Sequence, residues 1–365
     1  MDRHHQHWGP LFGFGAVGLL RLWQCALPPA NTGDAMRLLL WGAVVGEHGP
    51  AAAAQPLSVW ASADFVPWAH LPYNYPCLSL WLFTAIAAVS PTLLALKLLL
   101  TVLDAISAWL VFRITGDRWL ALLVWALPAS IWWVSREGQF EGAQSALVLS
   151  ALLLHRRLPG QRQWISAVVL AFAVQVKLTA IVLLPLFLMR AQSRRQLAQF
   201  AVAHAVGYLP TAAALLWWPA VTSVWEFSGA LRHNPLHWNA FSGELFTWNP
   251  LWMVIPHQVV SWGFLVALVW IGVSRRCLPE AMPGILFVLL LKVTTNGQPW
   301  YTVSLAPLLV ALPGEGRRRL LIALTPLLDV WSLSEIFIGP TFFVQPLPDG
   351  FSVLSDVGAL GGVGG

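Results

Sequence analysis

The sequence predicts an all-α fold: a polytopic bundle of transmembrane helices, some of them short or re-entrant, with an interfacial helix in the first outer loop. Composition carries this prediction, because 57% of the 365 residues are hydrophobic and 10% are charged, whereas an ordinary soluble domain carries about 25% charged residues. The mean hydropathy is +0.66. Lipid cannot satisfy the hydrogen bonds of a backbone, so apolar segments of this kind are expected to be helical. The 22 Trp residues suit the interfacial belts of such a bundle.

The basic residues are interpreted as topology markers and not as a nucleic-acid-binding surface. The formal net charge is +5, and the Lys and Arg residues fall in short clusters between apolar runs. The positive-inside rule places such clusters on the cytoplasmic side, so the chain must cross the membrane an even number of times between one cluster and the next. The five clusters are Arg113/Arg118, Arg156/Arg157/Arg162, Arg190/Arg194/Arg195, Arg275/Arg276 and Arg317/Arg318/Arg319.

We expect one domain at residues 1–340 and a mobile, Gly-rich tail at residues 341–365. Leu11–Leu27 is predicted to be a retained first span, because the polar, His-rich start and the absence of a small-residue cleavage site do not fit a signal peptide. The three cysteines lack the spacing of a metal site and suggest no disulfide framework. They are Cys25, Cys77 and Cys277.

Asp34 follows this first span and opens a helix-forming, mostly apolar run that continues to Gly42. We expect Asp34 to lie where the span meets a helix along the outer membrane surface. One hypothesis makes Asp34 a general base at that face. The alternative is that Asp34, like Thr32, only caps the helix.

Two apolar runs, Pro76–Val89 and Thr92–Phe112, come before Arg113. If both runs cross, Arg113 lies outside the cell. If only Thr92–Phe112 crosses, the parity of the basic clusters is kept and Pro76–Val89 is an interfacial or re-entrant helix. We favour this second arrangement, because Pro76–Val89 is short for the roughly 20 residues that a span needs.

A helical hairpin is predicted between Arg118 and Arg156, with an outer turn at Ser135–Glu141. Its arms are Trp119–Val134 and Gly142–Leu154, and both are short for spans.

Trp164–Met189 is about as long as one span, yet it joins two basic clusters. A re-entrant pair of half-helices that turns near Lys177 satisfies both constraints. Such broken helices are tolerated where they are buried in protein or line a water-filled cavity.

The rest of the chain is predicted to alternate between spans and outer loops, and it shows no internal repeat. The predicted elements are a span at Leu197–Trp217, an outer loop at Pro219–Pro250, a span at Leu251–Val273, a pair of helices at Met282–Val293 and Thr302–Leu312 around a turn at Asn296–Tyr301, and a last span at Leu320–Ile338.

Polar residues at the outer face are the candidates for chemistry, because ionisable groups at membrane depth are costly. They mix carboxylates, cations, amides and aromatic rings, which suits an anionic phosphate beside a sugar ring. The alternatives are structural: Arg136 and Lys177 could reach the interface as anchors, and Glu141 could cap a helix. Lys97 and Asp104 share a helix face inside an apolar run, where they are expected to meet other helices, and they are given no catalytic role.

Five motifs follow one another along the chain. They are Asp34 in the first outer loop, Tyr75-Pro76, Gly138-Gln139-Phe140-Glu141, Lys177 followed by Pro185, and Gln298-Pro299-Trp300-Tyr301. Their order resembles the GT-C superfamily, which comprises polytopic glycosyltransferases that use polyprenyl-phosphate-linked sugars. In this resemblance Cys77 stands in place of a second Pro, Glu141 stands for the Asp of a Gly-Gln-x-Asp element, and the last motif is a late turn. The resemblance extends from Leu11 to Pro307.

This resemblance implies an enzyme that moves a sugar, mannose above all, from a polyprenyl-phosphate donor to a lipid or glycan acceptor with inversion. The active site would face outward, from the plasma membrane if the protein is bacterial. Asp34 would be the catalytic base. The implied donor-phosphate contacts are Arg136, Gln139, Glu141, Lys177, Arg232 and His233. The implied sugar and acceptor contacts are Asp64, Tyr75, Gln298, Trp300 and Tyr301.

No cofactor is assigned, and a divalent metal stays an open alternative that no clear motif supports, since the sequence has no Asp-x-Asp. The main rival function is a transporter or flippase of a lipid-linked sugar, which would use the same cations and aromatic rings without a base. The absence of repeats counts against a transporter. A non-catalytic membrane subunit is a third interpretation.

Overall fold

A computed structural model of the chain describes residues 8–30, 34–60, 73, 75, 77–158, 163–177, 180, 183–188, 191, 193–209 and 303–304. The regular structure of these residues is helical and includes no strand, so the all-α prediction is confirmed for this part of the chain. The helices are α1 (Trp8–Ala26), α2 (Asp34–His48), α3 (Cys77–Val89), α4 (Leu93–Thr115), α5 (Arg118–Trp125), α6 (Pro128–Ser130), α7 (Glu141–Arg157), α8 (Trp164–Val176), α9 (Leu184–Leu188) and α10 (Arg194–Val206). Two 3-10 turns lie at Pro50–Ala54 and Leu57–Val59, and a π-helical segment, here called the π segment, lies at Ile131–Arg136.

The helix predicted after Asp34 is confirmed as α2, which begins at Asp34 itself. It is buried almost without interruption from Ala35 to Val45 and packs along α3. Gly42 makes this contact close, because a Cβ at this position would collide with the backbone carbonyl of Phe83. The protein itself thus covers most of α2, while its predicted place along the membrane surface stays a prediction.

Among the described helices, α4 is the one that is both long and apolar enough to cross a bilayer by itself. It is capped at its start by Thr92, whose hydroxyl accepts from the Ala95 amide (3.2 Å), and at its end by Gly116, where φ is +73°. The apolar helix α3 has 13 residues and falls short of a span. These lengths agree with the prediction that the second of the two apolar runs crosses and the first does not.

The predicted first span forms the helix α1, but α1 is not among the described helices that meet the length and hydropathy requirements of a span. Its polar Arg21 and Gln24 and its glycines lower its hydropathy. The predicted number of spans therefore stays a prediction.

The first arm of the predicted hairpin is not the single helix that was predicted for Trp119–Val134. It is divided into α5, the one-turn α6 and the π segment. The axis of α5 and the axis of the following part, Pro128–Arg136, meet at an angle of 44°. Pro128 explains the break, because proline supplies no backbone donor and disfavours a helical conformation in the residue before it. The second arm is confirmed as α7.

The reversal predicted near Lys177 is confirmed. The helix α8 ends at Val176, and Lys177 adopts an extended conformation (φ −152°, ψ 127°). The chain then returns, because Trp164 at the start of α8 and Ala191 beyond α9 line the same small cavity. With 13 residues, α8 is about 20 Å long, shorter than the roughly 30 Å of a hydrocarbon core.

A buried network of polar side chains joins α1, α4 and the π segment. Arg21 and Asp104 form an ion pair (Nη2 to Oδ2, 2.9 Å) with 0% and 1% of their side chains exposed. Arg21 also donates to the Trp125 carbonyl (2.7 Å) and to Ser135 Oγ (3.1 Å). Thr101 on α4 donates to the same Ser135 oxygen (3.0 Å). The expectation that Asp104 meets another helix is therefore confirmed, and its partner is on α1.

The C-terminal part of the chain is described at Val303 and Ser304, which are helical within the predicted Thr302–Leu312. Both contact α7, since Ser145 Oγ donates to the Val303 carbonyl (3.3 Å) and Ser304 Oγ donates to Gln144 Oε1 (3.2 Å). The other elements predicted from Pro219 onward, and the predicted tail, lie outside the described residues.

Replacing Arg21 by Met is expected to lower the free energy of unfolding by about 3–5 kcal/mol, because it leaves the buried Asp104 carboxylate without its ion-pair partner. Tryptophan fluorescence during denaturation of the detergent-solubilised protein measures the change. The matched control is Arg113→Met at the exposed end of α4, which should change the stability by no more than about 0.5 kcal/mol. Equal effects of the two variants would contradict a structural role for the ion pair.

The reversal of the chain at Lys177 predicts that the loops before α8 and after α9 lie on one side of the membrane. Single cysteines at Gln161 and Gln192 should both be protected from an impermeant thiol reagent in intact cells and both react after permeabilisation. Reaction of one position and not the other in intact cells would show that Trp164–Met189 crosses the membrane once.

Candidate active site

The N-terminus of α2 is in direct contact with the turn that follows the π segment. This turn consists of residues 137–140. Gly138 lies in this turn with φ +74°, and a Cβ at this position would lie 2.8 Å from the Ala35 Cβ. Ala35 follows Asp34, the first residue of α2. The fold therefore brings the two predicted motifs, Asp34 and the run that begins at Gly138, to the same place.

The π segment shapes the turn that carries these residues. Its wide hydrogen bonds run from the Glu137 amide to the Trp132 carbonyl (2.9 Å) and from the Gln139 amide to the Trp133 carbonyl (2.8 Å). Gln139 is 1% exposed, so the turn is part of the interior. Short π-helical segments frequently occur at functional sites. No pattern in the sequence predicted this one.

Lys177 and Glu141 form a buried ion pair that joins the end of α8 to the first turn of α7. The Lys177 ammonium lies 5.1 Å from the centre of the Phe140 ring and 6.0 Å from that of Tyr75. The two rings contact each other edge to face, with their centres 5.0 Å apart. We call these four residues the Lys177 cluster. Because its Lys177 is 4% exposed, the alternative of an interfacial anchor does not fit this residue.

Gln144, one turn along α7 from the cluster, ties Lys177 to the C-terminal part of the chain. Its Nε2 donates to the Lys177 carbonyl (2.6 Å), and its Oε1 accepts from Ser304 (3.2 Å). Ser304 lies three residues after Tyr301. The predicted late turn is thus linked along the chain to a segment that lies beside α7, although the turn itself is outside the described residues.

Arg136 ends the π segment and is half-buried. Its Nη1 donates to Gln24 Oε1 on α1 (3.4 Å), and its guanidinium lies 5.8 Å from the Trp132 ring centre. The predicted cation is therefore held near the turn but keeps more exposure than Lys177.

Two tyrosines lie beside the start of α2. The guanidinium of Arg37 lies 5.8 Å from the Tyr75 ring centre, and the Tyr73 and Tyr75 rings contact each other edge to face. Burial raises the pKa of the Tyr73 phenol well above its ordinary range, although a hydrogen bond with Ser79 (2.7 Å) opposes this shift. Tyr73 therefore stays neutral and is not a candidate base.

Three charged residues near the turn were not predicted as site residues: Arg37, Lys97 and Glu137. All three are at most 4% exposed. A charge in an apolar run was the available signal for Lys97, but periodicity alone does not reveal which helix such a charge meets.

Six predicted site residues lie outside the described residues. They are Asp64, Arg232, His233, Gln298, Trp300 and Tyr301. Within the described part of the chain, no group of three or more His, Cys, Asp or Glu residues lies close enough to hold a metal ion.

Comparison with known proteins gives one family and one relative. The model of the family described as "Glycosyltransferase family 87" matches residues 73–296, a region that includes the Lys177 cluster and the turn but not Asp34. The chain is 28% identical over 298 residues to the polyprenol-phosphate-mannose-dependent alpha-(1-2)-phosphatidylinositol mannoside mannosyltransferase of Mycobacterium tuberculosis, with 72% of this chain and 67% of the relative covered. No solved structure matches.

The buried ion pair predicts strongly non-additive effects on stability. Lys177→Met leaves the Glu141 carboxylate buried without its ion-pair partner, so we expect a loss of about 3–5 kcal/mol in the free energy of unfolding. Adding Glu141→Gln should recover a large part of this loss, because the uncompensated charge is removed. Denaturation of the single and double variants measures the coupling, with Glu47→Gln at the exposed end of α2 as the control. A double variant no more stable than Lys177→Met would show that the two charges do not act as a pair.

Proposed function

The chain belongs to glycosyltransferase family 87, and from this premise we propose that it transfers mannose from a polyprenyl-phosphate carrier to a lipid or glycan acceptor at the outer face of a membrane. Family membership makes the chain a glycosyltransferase, so the transporter alternative is set aside. The donor class is proposed from the mycobacterial relative, which is named for its dependence on polyprenol-phosphate-mannose. The same name describes the relative as a phosphatidylinositol mannoside mannosyltransferase, so a phosphatidylinositol mannoside is the first acceptor to test here.

One observation carries the proposed site: the run from Gly138 to Glu141 contacts both the start of α2 and Lys177. Gly138 abuts Ala35, while Glu141 pairs with Lys177. These contacts support a site in which Asp34 at the start of α2 and the buried Lys177 act from either side of one short turn. Transfer from a lipid phosphate needs such a pair, a base for the acceptor and a cation for the leaving group.

A membrane location is supported by the apolar side chains at the protein surface. On α1, Phe12 is 75% exposed and Leu19 70%, and on α4, Val102 is 55% exposed. Trp23 and Trp109 add exposed aromatic surface on the same two helices. An apolar surface of this extent is typical of contact with lipid or with a partner, and lipid also delivers a polyprenyl donor to the site.

We assign the role of general base to Asp34. It would take the proton of the acceptor hydroxyl as that oxygen attacks the anomeric carbon of the mannose, which inverts the configuration of this carbon. The N-terminus of a helix favours the charged form of a carboxylate, which makes it a weaker base. Close placement of the acceptor hydroxyl must therefore supply a large part of the rate acceleration.

We assign binding of the departing polyprenyl phosphate to Lys177 and Arg136. Glu141 would act on the phosphate indirectly, because a carboxylate repels an anion but can hold the Lys177 ammonium in place. Gln139 lies between the two cations along the chain, and Arg232 and His233 of the outer loop would complete the phosphate site. The charge that develops on the leaving oxygen is then matched by fixed positive groups in an interior of low dielectric constant.

The sugar and acceptor would be bound by Tyr75 and by the residues of the first and last outer loops. Tyr75 belongs to the Lys177 cluster and contacts Phe140 and Lys177, and an aromatic ring at this place can pack on the apolar face of a hexose. The proposed partners from the loops are Asp64, Gln298, Trp300 and Tyr301.

The test is a transfer assay with purified protein, radiolabelled polyprenyl-phosphate-mannose and a phosphatidylinositol mannoside or membrane lipid extract. We expect a new labelled product with the natural sequence. Asp34→Asn should reduce the rate of transfer by about a hundredfold or more, because an amide cannot take the proton, while it still caps a helix as Asp does.

The matched control is Asp117→Asn, the same chemical change at the start of another helix. Asp117 caps α5 by accepting from the amides of Trp119 (2.9 Å) and Leu120 (3.2 Å), and it lies outside the proposed site. It should leave the rate of transfer unchanged. Full activity of a well-folded Asp34→Asn protein would overturn the assignment of the base.

A further inference from the structure

We propose that Lys97 and Glu137 are positioning residues that hold the chain on both sides of Asp34. The inference rests on the proposed function for what Asp34 does, but the restraint itself follows from contacts of these two buried side chains with the backbone of the first loop.

The segment between α1 and α2 is held at two points before Asp34. Lys97 projects from α4 and donates from Nζ to the Leu27 carbonyl (2.6 Å). Glu137 follows the π segment and accepts at Oε1 from the Ala30 amide (2.7 Å). Both distances are those of charge-assisted hydrogen bonds, which are stronger than neutral ones. The turn therefore fixes the chain four residues before Asp34.

Gly138 of the same turn also restrains the chain directly after Asp34. Gly138, next to Glu137, abuts Ala35, and the Lys97 side chain runs along the same glycine, with its Cγ 3.5 Å from the position of a Gly138 Cβ. Ala30 and Ala35 are thus held by consecutive residues of one turn, and Asp34 lies between them in the sequence.

The charges of the two side chains suit this role. Lys97 is 1% exposed and Glu137 0%, so both side chains are enclosed by protein. A purely structural core would be served as well by apolar side chains, because a buried pair of opposite charges repays its desolvation poorly. Both side chains form hydrogen bonds with the backbone that leads to the proposed base, and displacement of a reacting group by about 1 Å can cost a hundredfold in rate.

The kinetic test compares Lys97→Met and Glu137→Met with Glu47→Gln, which removes a charge at the exposed end of α2. In the transfer assay we expect each Met variant to lower kcat by about tenfold or more while the KM for the donor stays within about twofold, because the base and not the donor site is displaced. Lys97→Arg and Glu137→Gln, which keep a donor and an acceptor, should retain more activity than the Met variants.

In the Asp34→Asn background, Lys97→Met should have no further effect on kcat. Additive losses in that background would overturn the proposal.

A second readout does not depend on activity. Pro29 is buried and lies between Leu27 and Ala30, whose backbone groups are held by Lys97 and Glu137. A cysteine at this position should therefore react slowly with a thiol reagent in the full-length protein. Reaction is measured against the same protein without Pro29→Cys, which accounts for the natural cysteines. Lys97→Met or Glu137→Met should accelerate the reaction by about tenfold, as expected when a local opening becomes easier by about 1.4 kcal/mol, whereas Glu47→Gln should not.

The two readouts separate the two hypotheses. An unchanged rate of cysteine reaction in both Met variants overturns the restraint, whatever the activity. Faster reaction in a protein that transfers no mannose in any form overturns the proposed function and leaves the restraint in place. If Lys97→Met fails to fold, Glu137→Met and Glu137→Gln carry the same comparison.

Discussion

The ion pair of Arg21 and Asp104 is the interaction on which the rest of the described structure depends. Two unit charges inside helices of apolar residues are tolerated when they meet, because each would otherwise be desolvated without compensation. Their contact fixes α1 against α4, and the further hydrogen bonds of Arg21 to Ser130 and Ser135 extend this fixation to the π segment. The turn that follows the π segment is thereby placed at one end of α1 and α4.

The proposed site lies where helices begin, end or change their form. The helix α2 begins at Asp34, α7 begins at Glu141, and α8 ends before Lys177. Helix termini offer backbone groups without intrahelical partners, and charged side chains beside them can hold a ligand without disturbing a helix interior. A break in a helix at membrane depth is stable only where protein surrounds it, which agrees with the burial of Lys177 and of the turn.

The run from Gly138 to Glu141 connects the two halves of the proposed chemistry. Gly138 gives close contact with the start of α2 because it has no side chain and adopts a positive φ. Phe140 and Glu141 face Lys177. Neighbouring residues of one short turn therefore contact both the helix that carries the proposed base and the cation of the proposed phosphate site.

The sequence by itself determined the helical character of the chain, the helix that begins at Asp34 and the reversal near Lys177. These follow from local properties: apolar runs, a capping residue and the parity of basic clusters, each of which is readable over a few residues. Its motifs also indicated the family. Only the tertiary structure decided which charge meets which. Asp104 pairs with Arg21, Glu141 pairs with Lys177 rather than only capping α7, and Lys97 reaches the Leu27 carbonyl. The partners in these contacts are 36 to 83 positions apart in the sequence. The π segment was likewise beyond the sequence, because the wider hydrogen bonding of Ile131–Arg136 is fixed by the packing of its neighbours and not by the residues that form it.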